Sequence, residues 1–495
     1  MVEVVRSDFS RVFLIENKAG PANAPQYQGL WKAGAVSWEQ GDVTTIKIPS
    51  ETQYGSFKTI GKIPGESGDP ELPIMARYTM DKSQLLRLAR NGCDHDLQVH
   101  MGKCRDPRDF NGGWDKILIL EAARITSYGT EDLGALGPDE RAIVNEEVPF
   151  TGEDLYEVVR LSFSRQAESL IGREVKDVTV CDSKTCGLCG ITSDGCQVVF
   201  GVVSPSSGSP GLLAEVVFTQ DAGGTWDERV VTTLGASETP SAIVCVGTDT
   251  VVFSADSDSL HYIDTTDLLN GTGSWAEIQT GFVTNKGPKA VFSLGPSMTW
   301  VVGEGGYVYF TDDPTGGVSS QDAGSNTVQD LNAVHGADSL NLVAVGNSNA
   351  VLYTTNGGAT WGSVTGPEVG ANLLSVWAKT DAEWWVGTDT GNLYYTRNSG
   401  VGWTRKSFSG FGTGAVRDIK FVTPSVGYMA HNTATPAGRL FRTINGGFSW
   451  YALPEAGSLP ANDRFNKIAV CGDPNIVFAG GLADDATDGI LVKGA

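Results

Sequence analysis

The sequence predicts a mainly β protein in which residues 175–495 close into a seven-bladed β-propeller and residues 1–160 form a separate domain. Three observations carry this: a glycine excess confined to one part of the chain, a turn motif that returns at a fixed period, and seven apolar segments spaced at that period. The 495 residues include 62 glycines, about one in eight against the usual ~7%. The excess gathers after residue 185 beside Thr, Val and Trp, the composition of many short strands joined by tight turns. A chain of this length exceeds what one core fills, which predicts two domains.

The period comes from self-alignment. Thr219-Gln-Asp-Ala-Gly-Gly-Thr-Trp226, Thr354-Thr-Asn-Gly-Gly-Ala-Thr-Trp361, Thr396-Arg-Asn-Ser-Gly-Val-Gly-Trp403 and Thr443-Ile-Asn-Gly-Gly-Phe-Ser-Trp450 match closely, and Asn270–Trp275 and Thr311–Val318 are weaker copies. Their closing residues fall at 226, 275, 318, 361, 403 and 450. Asp221, Asn356, Asn398 and Asn445 each carry a short side chain able to accept hydrogen bonds from the amides of its own turn. The following glycines supply positive φ for a hairpin. Each closing tryptophan (Trp226, Trp361, Trp403, Trp450) is expected to pack between neighbouring blades with its indole N–H at the wet edge.

These turns resemble the Asp-box, or BNR, repeat, which sits on the hairpin between the third and fourth strands of a propeller blade. The propeller as a whole is similar to those of photosystem II assembly-factor-like proteins. Val175-Lys-Asp-Val, Ser241-Ala-Ile-Val, Lys289-Ala-Val-Phe, Leu331-Asn-Ala-Val, Leu373-Leu-Ser-Val, Arg417-Asp-Ile-Lys and Asn466-Lys-Ile-Ala open seven innermost strands, and ~40–45 residues suit a four-stranded blade. The seventh blade ends without a box or fourth strand. Val158–Ser164, which alternates apolar and polar residues, is expected to pair with Ile490–Lys493 and close the ring, so residues 161–174 read as a linker or closing outer strand.

Before residue 160 the repeat is absent. Ser37–Pro49, Tyr54–Ile63, Leu97–Met101 and Ile117–Ile125 read as strands, and Lys82–Arg90 as a short helix with Asp81 as its N-cap. The loop Ile60–Ile74, that helix and the run Ile125–Asn145 resemble the tail tube (major tail) proteins of long-tailed bacteriophages over roughly residues 10–160. The resemblance implies a β-sandwich closed by Asp154–Val159, homohexameric rings stacked into a DNA-conducting tube, contacts with other tail proteins, and a propeller displayed outside with a host-surface or glycan ligand. It places the protein in the virion tail, made in the host cytoplasm. Leu133, Leu136, Ile143 and Val144, apolar residues in the long stretch Gly129–Val148, are expected to pack on an adjacent subunit. Gly61–Pro73, too rich in Pro and Gly for a regular element interior, is expected to bridge rings.

The net charge of −22 divides into −6 on residues 1–165 and −16 on 166–495. Such a surface releases no counterions from nucleic acid, so DNA would pass without specific binding. No signal peptide is visible at Met1–Asp8, and no apolar run reaches the ~18 residues of a membrane span.

Candidate chemistry is sparse. Cys181, Cys186, Cys189 and Cys196 have spacing suited to a zinc knuckle, to two disulfides or to free thiols, in each case pinning a loop. Cys93, His95, His100 and Cys104 have ligand types, but the two histidines fall on opposite faces of any continuous strand, which favours a disulfide or burial. A sialidase uses the same repeat, yet no Arg-Ile-Pro motif occurs, and Arg397 and Arg442 stand beside box turns, on the rim. Trp384-Trp385 reads as blade core. Nucleophile, metalloprotease and phosphate-loop patterns are absent. The expectation is a structural virion protein without catalytic residues or cofactor. The alternative is a stand-alone binding or assembly-factor propeller, and further behind a glycan-active enzyme.

Overall fold

In the first 160 residues the computed structural model describes nine strands, with residues 152, 154 and 160. From 161 onward it describes all but 167–169, 171–172, 182–197, 206–213, 235–237, 247–249, 257, 314, 408–412, 434–437, 454–462 and 484–487. The chain divides into two compact units, one of Met1–Ile48 with Lys58–Arg160 and one of Pro49–Phe57 with Leu161–Ala495.

The first 160 residues contain β1 (Arg11–Glu16), β2 (Trp31–Val36), β3 (Thr45–Pro49), β4 (Phe57–Lys62), β5 (Glu71–Arg77), β6 (His95–Met101), β7 (Lys116–Ile125), β8 (Asn145–Thr151) and β9 (Leu155–Val159). Seven strands join in the order β6-β1-β2-β5-β8-β7-β9, and an extra β6–β7 pairing closes the first six into a cycle that leaves β9 outside. All described pairings within it are antiparallel. Strands stand where Leu97–Met101 and Ile117–Ile125 were expected, but they are buried on both faces: Leu97, Val99, Leu118 and Leu120 on one, Gln98, His100, Ile117 and Ile119 on the other. Gly61 and Pro73, expected in one irregular loop, lie within β4 and β5. Both sit near a strand end, where a glycine or proline disturbs the ladder least. Residues 63–70, the helix expected over Lys82–Arg90, Cys93, Cys104, and Leu133, Leu136, Ile143 and Val144 lie outside the described residues.

The second unit holds seven four-stranded antiparallel sheets. Their innermost strands are Arg173–Cys181, Pro240–Val246, Pro288–Gly295, Leu331–Gly336, Leu373–Ala378, Gly414–Phe421 and Arg464–Val470. Each packs on the next, and the first packs on the last, so the sheets form a closed ring. Apolar clusters lie between blades rather than within them. One joins Trp300, Val302 and Val308 of blade 3 to Leu342, Leu352 and Trp361 of blade 4.

Closure comes from upstream in the chain. The outer strand of blade 7 is β10 (Phe163–Gln166), which pairs with Gly489–Gly494 in the register Phe163↔Gly494 to Gln166↔Leu491. The segment expected to do this, Val158–Ser164, is shifted: Val158 belongs to β9 and pairs with Ile117. Ser162 and Ala495 exchange both backbone hydrogen bonds, at 2.9 and 3.0 Å. In an antiparallel ladder Ser164 and Lys493 are therefore the next hydrogen-bonded pair, and the amide of Arg165 points away from it. Ser164→Pro should cost about 3 kcal/mol and lower the propeller's melting temperature in calorimetry, while Arg165→Pro should cost far less. Equal melting of S164P and the parent chain would contradict the closing role of β10.

Candidate ligand site at the axial mouth

The box turns take the geometry their residues predict. Asp221 Oδ1 accepts from Thr225 N at 2.8 Å, Asn356 Oδ1 from Thr360 N at 2.9 Å, Asn398 Oδ1 from Gly402 N at 2.9 Å and Asn445 Oδ1 from Ser449 N at 2.9 Å. The leading threonine hydroxyl donates to the same oxygen in all four turns. These bonds hold the Asp221 carboxyl below its usual range, the Thr225 amide contributing most. Each tryptophan packs on the preceding blade. Trp226 meets Phe478, Trp361 joins the blade 3 cluster, Trp403 joins the blade 4 cluster and Trp450 meets Trp385. Trp226 and Trp361 donate to Gln166 and Gln321, and Trp403 to the carbonyl of Thr365.

Several expectations change. Asn270 is no box residue but the last residue of a helix, Thr265–Asn270, capped by Asp264 and ended by left-handed Gly271. The pattern Asn-Gly suits a helix end as well as a hairpin. Arg442 is not on the rim but fully buried, donating at 2.6 Å to the carbonyl of Pro474, which also accepts from Tyr428. Trp384 and Trp385 are both core, facing opposite sides of one blade: Trp384 packs with Trp403, Trp385 with Trp450. His95 and His100 share the continuous strand β6. Burial pulls the His100 pKa down to about 3, and its Nε2 lies 3.1 Å from Gln98 Oε1. Cys181 ends the innermost strand of blade 1, and Cys186, Cys189 and Cys196 lie outside the described residues. Cys245 and Cys471, not singled out above, are each disulfide-bonded. Among the described residues no group of three or more His, Cys, Asp or Glu is arranged to hold a metal, and no helix is long and apolar enough to cross a membrane.

Strict alternation hides a further feature of the innermost strands, a β-bulge. Every innermost strand slips register near its start, at Val175/Asp177, Pro240/Ala242, Pro288/Ala290, Leu331/Ala333, Leu373/Ser375, Val416/Asp418 and Phe465/Lys467, and that of blade 3 slips again at Ser293/Gly295. A bulge re-aims the extra residue. The extra residues are Lys176, Ser241, Lys289, Asn332, Leu374, Arg417 and Asn466, and all seven line one cavity of about 430 Å³ at the propeller axis. The signal was an apolar–any–small or polar–apolar quartet repeated seven times, which simple alternation does not read.

The mouth is wired from blade to blade. Asn332 Nδ2 donates to the carbonyl of Leu373 at 3.0 Å, and Asn466 Nδ2 to that of Val175 at 2.9 Å. Lys289 pairs with Asp330 at 2.7 Å. The residue after the bulge reaches across too: Asp177 accepts from Ile243 N at 2.8 Å and Asp418 from Ile468 N at 3.0 Å. Burial raises the Asp177 pKa, with Lys467 and Lys420 opposing it. Such close approach leaves no room for a Cβ at Gly387, opposite Ser375, where it would strike Ser375 Oγ and Val416 Cγ1.

Charge is unevenly spent around the mouth. Glu174 is held by Lys176 at 2.7 Å and by Asn466 at 2.8 Å. Burial opposes ionisation of Asp330, and hydrogen bonds from Lys289 and Gly305 overcome it, holding its pKa below the usual range. Among the described residues Arg417 and Lys467 have no ion pair or side-chain hydrogen bond. Desolvation draws the Arg417 pKa down, with Glu174, Arg464 and Asp389 nearby. Blades 6 and 7 thus present two cations with carboxylates nearby but no direct ion pair, while Asp256 and Glu304 stand on the opposite wall. Three residues beyond the bulges, Phe292, His335 and Trp377 pack as tilted rings across blades 3 to 5 with centroids 4.8 and 3.9 Å apart. Burial, aided by Lys420, drops the His335 pKa to about 3, so this arc is neutral.

A closed ring of seven such sheets defines a β-propeller. No protein-family model and no curated protein matches the chain. Solved structures similar to it include YCF48 bound to D1 peptide, at 17% identity and TM-score 0.50, covering 67% of this chain and 96% of that one. They also include YCF48 from Cyanidioschyzon merolae, at 15% identity and TM-score 0.48 over 67% of this chain and 98% of that one. A third is the WD40 β-propeller domain of Doa1, at 10% and 0.46 over 68% and 96%. These likenesses concern the fold.

Proposed function

We propose that the protein is a binding propeller without catalytic chemistry, whose axial mouth grips a peptide segment of a partner by one carboxylate. The observation that carries this is the pair Arg417 and Lys467, cationic, without a direct ion pair and lining a cavity built by seven bulges. Structural cations in an acidic protein are normally compensated. Two without a direct ion pair in a concave site are available to an anionic group. Asp256 and Glu304 opposite them repel a polyanion, so nucleic acid is a poor occupant and a singly acidic peptide a good one. That YCF48, of similar fold, is seen with a D1 peptide is consistent with a peptide ligand. The test is fluorescence anisotropy with a labelled Gly/Ser hexapeptide carrying a single Glu. The parent should bind it, and Arg417→Glu with Lys467→Gln should weaken binding by about ten-fold or more in a protein that still melts cooperatively. Binding that ignores both substitutions would overturn the assignment.

A second reading rests on the first unit, where six strands close into an antiparallel cycle and β9 is left as an edge. An edge strand is a ready template for a neighbouring chain, as the tail-tube resemblance requires. On this reading the chain is a virion tail subunit and the propeller its external binding module. Negative-stain microscopy of the purified full chain should then show hexameric rings or tubes. A monodisperse monomer would leave the stand-alone propeller.

A further inference from the structure

Six large apolar side chains are conspicuously exposed among the described residues: Val230, Val283, Val328, Leu340, Val369 and Val401. Single exposed apolar residues are ordinary. Three of these are not scattered. Val283, Val328 and Val369 lie in the loops that lead from the outer strand of one blade to the innermost strand of the next, in three successive blades. Their exposure is 42%, 76% and 94%.

These loops border the mouth. The Val328 loop continues into Asp330, which holds pocket-lining Lys289 and accepts from Gly305 N at 2.9 Å, beside pocket-lining Glu304. The Val369 loop is fixed by Glu368, which accepts from Thr390 and Asn392 and whose amide donates to Asn349 at 2.9 Å. Ordered polar anchors thus hold the valines outward. The Val369 loop leads within five residues to Leu374, the single apolar side chain among the seven bulge residues. Going round the ring in chain order, the apolar knobs of blades 3 to 5 give way to the cations of blades 6 and 7.

We propose that Val328, Val369 and Leu374 form an apolar subsite, with Val283 at its outer end, that takes two or three aliphatic residues of a polypeptide immediately preceding its carboxylate at Arg417 and Lys467. This deepens the axial-mouth reading and rests on it. The occupant is an extended peptide with apolar residues on one side and a single carboxylate at its leading end. Charge complementarity fixes which end lies over blades 6 and 7, and the valine arc fixes where the rest runs. The carboxylate belongs either to an acidic side chain or to a chain terminus, which carry the same charge at different reach from the backbone.

The test uses three fluorescein-labelled probes on the full chain: Leu-Val-Gly-Leu-Gly-Glu amide, Gly-Ser-Gly-Ser-Gly-Glu amide, and Leu-Val-Gly-Leu-Gly with a free C-terminus. The apolar acidic peptide should bind about ten-fold tighter than its polar counterpart, as expected for burying two aliphatic side chains partway. V328S with V369S should erase that advantage while leaving the polar peptide's affinity and the melting temperature unchanged, since both valines are solvent-exposed. V401S, on the box face, should change nothing. The third probe distinguishes the source of the carboxylate: binding equal to the first assigns a chain terminus, weaker binding an acidic side chain. An advantage that survives V328S/V369S, or no advantage in the parent while the polar peptide still depends on Arg417, overturns this inference alone. If no probe binds, or R417E leaves all three unaffected, the mouth reading falls with it.

Discussion

The propeller depends on one extra residue, repeated seven times. A strand that alternates strictly turns its side chains to two faces in fixed order. A bulge breaks that order at one point, so a side chain that would enter the blade is aimed at the axis, and its successor reaches the neighbouring blade. Because every innermost strand slips at the same place, seven axial side chains form a ring, and the links Asp177–Ile243, Asn332–Leu373, Asp418–Ile468 and Asn466–Val175 tie blades together. Fold and site are the same device.

The two faces of the ring divide the work. On the box face, Asx-type turns fix each hairpin and a tryptophan fills the gap to the preceding blade. Most of their hydrogen-bonding capacity is satisfied locally, which leaves little to offer a ligand. At the mouth, polar groups link blades, but Arg417 and Lys467 take part in none of these direct links. β10 gives blade 7 the fourth strand that the other six blades take from their own chain segment.

Much of this was legible in the sequence. The period, the Asx residues and the closing tryptophans gave the blades, because Asp221, Asn356, Asn398 and Asn445 have a local chemistry that fixes their own turn. What was not legible depended on neighbours far along the chain. Asn270-Gly reads as a turn until Asp264 is seen to cap a helix six residues earlier. Arg442 looks like a rim residue until the carbonyl of Pro474 supplies its partner. The closing strand was found in kind but placed too early, since Val158 and Phe163 are equally apolar and only pairing with Ile117 or Gly494 separates them. The bulge residues were visible as a quartet but not as a site, because alternation assigns Lys176, Lys289 and Arg417 to no face until the register shift is known.

The central claim is that ligand enters at the bulge ring and not at the box turns. Hydrogen–deuterium exchange of the full chain with and without the Leu-Val-Gly-Leu-Gly-Glu peptide tests this most directly. The account predicts added protection at 174–177, 328–332, 369–375, 416–418 and 464–467, and none at the box turns 221–225, 356–360, 398–402 and 445–449. Protection centred on the box turns, or on β9 in the first unit, with the bulge segments unchanged, would contradict it.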